Sequence, residues 1–92
     1  MLSKSEQFDL VSQIKRATYS IPLNIVEGCG RGTDKDFAHF LDMALASAQE
    51  AEYCALLSSD LGYIEKNIYD SANQKYGEVK AMLIGLIKTP RK

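Results

Sequence analysis

The sequence predicts an all-α protein, an up-down antiparallel bundle of three long helices. Apolar residues recur at steps of three and four along three separate stretches, which is the period of a helix. No stretch of useful length alternates with period two, so no strand is expected. Glycines separate these stretches at two places, Gly28–Gly32 and Gly62, while Pro22, Gly77 and Gly85 fall within them. Three helices of roughly 25 residues, each about 37 Å long, fit between these breaks. Short links between long helices make antiparallel neighbours. At 92 residues the chain is one domain, 1–92.

The first helix is expected over about residues 4–27. Ser3 and Glu6 fit a capping box, in which two side chains satisfy free N–H groups. Leu10, Ile14, Ala17, Ile21 and Ile25 form its apolar stripe. Pro22 interrupts it: the ring donates no N–H and crowds the Thr18 carbonyl, so a kink is expected with helix on both sides. Gly28 follows at once and can take the left-handed conformation that ends a helix.

The second helix is expected over about residues 34–61. Thr33 suits the N-cap, and Asp34 and Asp36 suit the positive end of the helix dipole. Its stripe is Phe37, Leu41, Ala44, Ala48, Ala51 and Ala55, flanked by Phe40, Leu45 and Leu56. The alanines allow a neighbouring helix to come close. Gly62 is the expected C-terminal cap. The third helix is expected over about residues 64–88, with Ile68, Ala72, Val79, Leu83 and Leu86 on its stripe and Tyr76 and Met82 beside it. Thr89-Pro90 should end it, followed by the basic Arg91-Lys92.

Charge is unevenly spread. The whole chain carries 11 Lys and Arg against 12 Asp and Glu, a net −1. The segment balances are +1 for residues 1–31, −5 for 32–62 and +3 for 63–92. A near-neutral total argues against a generic nucleic-acid coat, which needs a basic excess. A hydrophobic content of 46 % argues against disorder. No apolar run approaches the ~20 residues of a membrane span, and the N-terminus has no secretory h-region. Cys29 and Cys54 are too few for a disulfide framework, so the expected compartment is the reducing cytoplasm.

Chemical motifs are sparse. His39 is the sole imidazole, and a pairing with Cys29 would lack a third orienting group. His39, Cys29 and Cys54 have no metal-ligand spacing, so no metal, cofactor or catalytic residue is expected. Gly28-x-Gly30-x-Gly32 lacks the strand and the G-K-(S/T) ending of a phosphate loop and reads as a tight interhelical turn, although Arg31 and Lys35 beside a helix start could hold an anion. Tyr19, Tyr53, Tyr63 and Tyr69 suit an interface, where tyrosine is enriched. Ser20, Asn24, Glu27 and Arg31 follow one another at helical steps, and Glu52 interrupts the small-residue face of the second helix. These five read as a polar network that satisfies backbone groups near Pro22, or as a ligand or subunit contact.

The strings Gln13-Ile14-Lys15-Arg16-Ala17, Ser20-Ile21-Pro22, Asn24-Ile25, Glu27-Gly28 and Gly30-Arg31-Gly32 carry a family signature, roughly Q-I-(R/K)-R-A-x-x-S-I-x-x-N-I-x-E-G-x-G-R. The chain resembles the bacterial four-helix-bundle family encoded by intervening sequences in 23S ribosomal RNA genes. Asp36-Phe37, Phe40-Leu41, Ala44–Ala48, Glu52, Asp60-Leu61-Gly62-Tyr63 and Met82–Ile87 continue the likeness along nearly the whole chain. The family has one more helix at the front, so this chain resembles three helices of the four. The resemblance implies a non-catalytic, ribosomal-protein-like bundle that forms homo-oligomeric rings, pentamers among them. Related bundles are accessory proteins of retroelements and bind a reverse transcriptase and RNA through basic surfaces. That implies an RNA or ribonucleoprotein partner here, with Lys15, Arg16, Arg31 and Lys35 as the RNA-binding candidates and Lys75, Lys80 and Lys88 on the third helix. The alternative is a protein-interaction scaffold with no nucleic-acid role. No membrane or small-molecule substrate is expected.

Overall fold

The structure, a computed structural model, describes residues 4–88. It holds three helices, α1 Lys4–Cys29, α2 Asp34–Asp60 and α3 Lys66–Lys88. Among the described residues there is no strand. Ser3 of the expected capping box and the Thr89–Lys92 terminus lie outside the described residues; Glu6 stands in the first turn of α1.

α1 runs through Pro22 as one helix and ends two residues later than the sequence suggested. Gly28 does not terminate it. The glycine is buried inside the helix, where an added Cβ would stand 2.9 Å from Phe40 Cβ and 3.0 Å from Phe37 Cδ1. Its bare backbone lets α1 press against the first turns of α2. The helix closes instead through Gly30, whose N–H reaches the carbonyls of Val26 and Glu27 at 3.2 Å.

α2 begins as its sequence dictates. Thr33 is extended (φ −131°, ψ 150°), and its side chain accepts from the Asp36 N–H at 3.1 Å. It ends in a Schellman turn: Gly62 N–H bonds the Ser59 carbonyl at 3.0 Å and Tyr63 N–H the Ser58 carbonyl at 2.8 Å. Gly62, at φ +77°, is the single residue in the left-handed region among those described. Because this turn occupies Tyr63, α3 starts at Lys66, two residues later than expected, with the Glu65 carbonyl taking the first bond from Tyr69 at 3.0 Å.

α2 is the shared element. Its residues Leu41, Ala44, Ala48, Ala51 and Ala55 are buried, and Ile21 from α1 and Leu83 from α3 meet there. Ile25, Phe37, Leu45, Val79 and Ile87 pack around that cluster. The alanines bring both neighbours in close. α1 and α3 do not meet at the backbone: no Cα of one lies within 8 Å of a Cα of the other. Consequently α3 buries Leu83 alone, whereas Ile68 is 54 % exposed and Leu86 39 %. Leu56, expected beside the core, is 41 % exposed.

The result is a long, thin body of 52 × 22 × 14 Å. Its radius of gyration is 15.1 Å, against about 12 Å for a compact chain of this length. Its accessible surface is 6341 Å², about 1,000 Å² above the value expected for a compact monomer of this mass.

Candidate functional site

Between α1 and α3 lies an apolar groove with a volume of about 410 Å³, lined by Thr18, Tyr19, Ile21, Pro22, Ala72, Lys75, Tyr76 and Val79. One hydrogen bond spans it, Thr18 Oγ1 to Tyr76 Oη at 2.8 Å. Its walls continue beyond those residues. On α3 the row Ile68, Ala72, Lys75, Val79, Met82, Leu86 repeats at steps of four and three, the spacing of a coiled-coil seam. On α1, Phe8, Lys15 and Val26 fall at helical spacing from the lining residues Tyr19 and Pro22. Phe8, Tyr19 and Val26 are each at least 65 % exposed. Apolar rows of this extent, left in water, mark interaction surfaces.

The far side of α1 carries a polar seam against α2. Arg16 donates to Gln13 Oε1 at 2.9 Å, and Gln13 donates to Glu50 at 2.6 Å. Ser47 donates to Ser20 Oγ at 3.0 Å. Asn24 donates to the Ser20 carbonyl at 2.8 Å and to Ser20 Oγ at 2.9 Å. The five polar residues grouped by sequence therefore fall into three separate clusters. Ser20 and Asn24 belong to this seam, and the carbonyl they satisfy is that of Ser20, not that of Thr18. Glu27 and Arg31 form an exposed ion pair at 2.8 Å. Glu52 lies on the other flank of α2 and holds Lys80 of α3 at 2.6 Å, a half-covered pair. Gln13, Ser47, Glu50 and Lys80 complete these contacts; their only sequence signal was a helical spacing shared with many solvated residues.

The four RNA-binding candidates are not brought together. Arg31 is engaged by Glu27 and lies over the Phe40 ring at 5.0 Å. Lys35 is exposed in the first turn of α2. Lys15 and Arg16 sit on α1, 16 and 15 residues before Arg31, which follows the end of that helix, and they diverge: Arg16 joins the polar seam, whereas Lys15 precedes Tyr19 by one turn on the groove side.

The candidate chemistry is equally dispersed. His39 is exposed and contacts the edge of Phe40, with ring centroids 5.7 Å apart. Cys29 is exposed and Cys54 buried. Burial, and secondarily the Glu50 charge, push the Cys54 thiol above its ordinary range, which suits a packing residue and not a nucleophile. Burial and the charge of Glu6 likewise raise the Tyr63 hydroxyl. Among the described residues no group of three His, Cys, Asp or Glu is placed to hold a metal. Among the described residues no helix is long and apolar enough to cross a membrane.

Fold and groove together define a class: an all-α helical bundle with an open apolar groove. Within that class the chain belongs to the 23S rRNA-intervening sequence protein family, whose model matches residues 1–85. It is similar to a solved structure from Bacteroides thetaiotaomicron VPI-5482, described as a protein with unknown function from the S23 ribosomal protein family. The two share 35 % identity with a TM-score of 0.87, over 94 % of this chain and 80 % of that one. No curated protein matches. These likenesses indicate no catalytic family.

Proposed function

We propose that this chain is a non-catalytic association module whose α1–α3 groove receives an amphipathic helix from another chain. The observation that carries this is the groove itself: two parallel apolar rows with no backbone contact between them. A neighbouring subunit is one source of such a helix, and a homo-oligomeric ring is the assembly the family resemblance implies.

The test uses a designed 21-residue amphipathic helix with a Leu/Ile heptad seam and glutamine flanks. It should bind saturably in fluorescence anisotropy and lose binding to a Tyr19→Ser, Met82→Ser double variant, whose changes touch exposed positions only. Absence of binding to the parent chain removes the reading.

RNA or ribonucleoprotein association is the second reading, supported by the adjacent exposed pair Lys15 and Arg16. It predicts RNA binding that weakens steeply with salt and disappears in Lys15→Glu, Arg16→Glu. Native mass spectrometry of chain purified without nuclease reports subunit number and bound polynucleotide together.

A further inference from the structure

We infer that the helix seated in the α1–α3 groove is acidic along its flanks, with carboxylates facing Lys15 and Lys75; this rests on the docking reading above. Lys75 is the one charged residue lining the apolar cleft. It occupies the middle of the α3 seam, where the other members are Ile68, Ala72, Val79, Met82 and Leu86. Lys15 stands on the opposite wall, one turn before Tyr19.

The Thr18–Tyr76 bond sets the register of the two walls. Lys15 precedes Thr18 by three residues and Lys75 precedes Tyr76 by one, and α1 and α3 run parallel. Each lysine therefore lies within one turn of that bond along its own helix, Lys75 in the groove lining and Lys15 one turn before the lining residue Tyr19.

Both lysines are exposed and unpaired among the described residues. Two other lysines of α3 are already matched, Lys66 to Asp70 at 3.1 Å and Lys80 to Glu52 at 2.6 Å. The acid nearest to Lys75 along its helix is Glu78, which the helical turn carries about 60° further from the groove. A lysine in such a row lays its methylene stem on the apolar surface and presents its ammonium at the rim. In helix pairing, that is the position which selects a partner by its flanking charge.

An apolar floor with a cationic rim does not suit a nucleic-acid backbone, which has no apolar face to seat against Pro22, Val79 and Met82. A basic helix would be repelled twice. An acidic amphipathic helix satisfies the floor and both lysines together.

The test compares three versions of the designed peptide, identical in seam and flanked by Glu, Gln or Lys. The Glu version should bind about fivefold more tightly than the Gln version at low salt, and the Lys version more weakly than both. The preference should fade near 0.5 M salt, where the screening length falls to about 4 Å. In Lys15→Glu, Lys75→Glu the ranking should reverse; because all peptides meet one protein sample, folding differences between variants do not enter. Equal binding of the three peptides, or an unchanged ranking in the double variant, overturns the charge selection and leaves the docking reading standing. If none binds, both fall.

Discussion

The two sides of α1 differ in what they offer a neighbouring helix. Toward α2 the contact is made by Gly28, Ala17 and the alanine row of α2, with a hydrogen-bonded seam along one edge. Toward α3 it presents Thr18, Tyr19 and Pro22, and a pair of hydroxyls reaches across a gap. Small residues draw two helix axes together until the backbones nearly touch. Large apolar residues without an opposing surface hold them apart and keep the space available. The first kind of side ends an interaction within the chain, and the second invites one from outside.

Truncating side chains in the closed and open regions should separate them most clearly. Leu41→Ala, at a fully buried position, should cost about 2–5 kcal/mol and lower Tm by more than about 10 °C. Ile68→Ala, at a groove position, should change the melt of the isolated chain by less than about 1 kcal/mol. A matching loss at both positions in thermal melts would mean the groove is already filled.

The glycines test the same contrast with a smaller effect. Gly28→Ala places a methyl against Phe37 and Phe40 and should destabilise by about 1–2 kcal/mol, overpacking exceeding the gain in helix propensity. Gly77→Ala on α3 meets nothing within 4 Å and should stabilise by about 0.5–1 kcal/mol. Urea titration of the two variants should shift the midpoint in opposite directions.

The smallest effect is alkaline. The Cys54 thiol is raised from its ordinary 9.0 by burial, so the folded state holds that proton after the unfolded chain has released it. Its contribution is fully present below pH 9.0 and is lost as pH rises through the folded value. Melts of the parent chain should weaken above about pH 9, and Cys54→Ala, though less stable at neutral pH, should show a shallower decline.

The three helices, the Thr33 cap and the Gly62 turn were legible because each rests on local chemistry: a period, a hydroxyl, a positive φ. Gly28 was misread because a glycine that ends a helix and one that admits a neighbour look alike in one dimension. The exposure of Ile68, Leu86 and Leu56 was hidden for a related reason. An apolar stripe announces that it wants a partner, not whether the chain supplies one. The polar residues of α1 were seen, but their partners Ser47 and Glu50 lie on another helix, and only the register of packing decides that pairing.

The thin attachment of α3 bears on how the molecule comes apart. α1 and α2 form a hairpin closed by a four-residue link and held along its length by the buried alanine row and the polar seam. α3 is fastened by Leu83, the half-buried Val79 and Ile87, the Glu52–Lys80 pair and one hydroxyl bond, so it should detach as a unit before the hairpin melts. Amide exchange would then divide the chain into a slow hairpin and a fast third helix. A helix docked in the groove would clasp α3 to α1 and erase that division, turning a hinged flap into part of a single cooperative body.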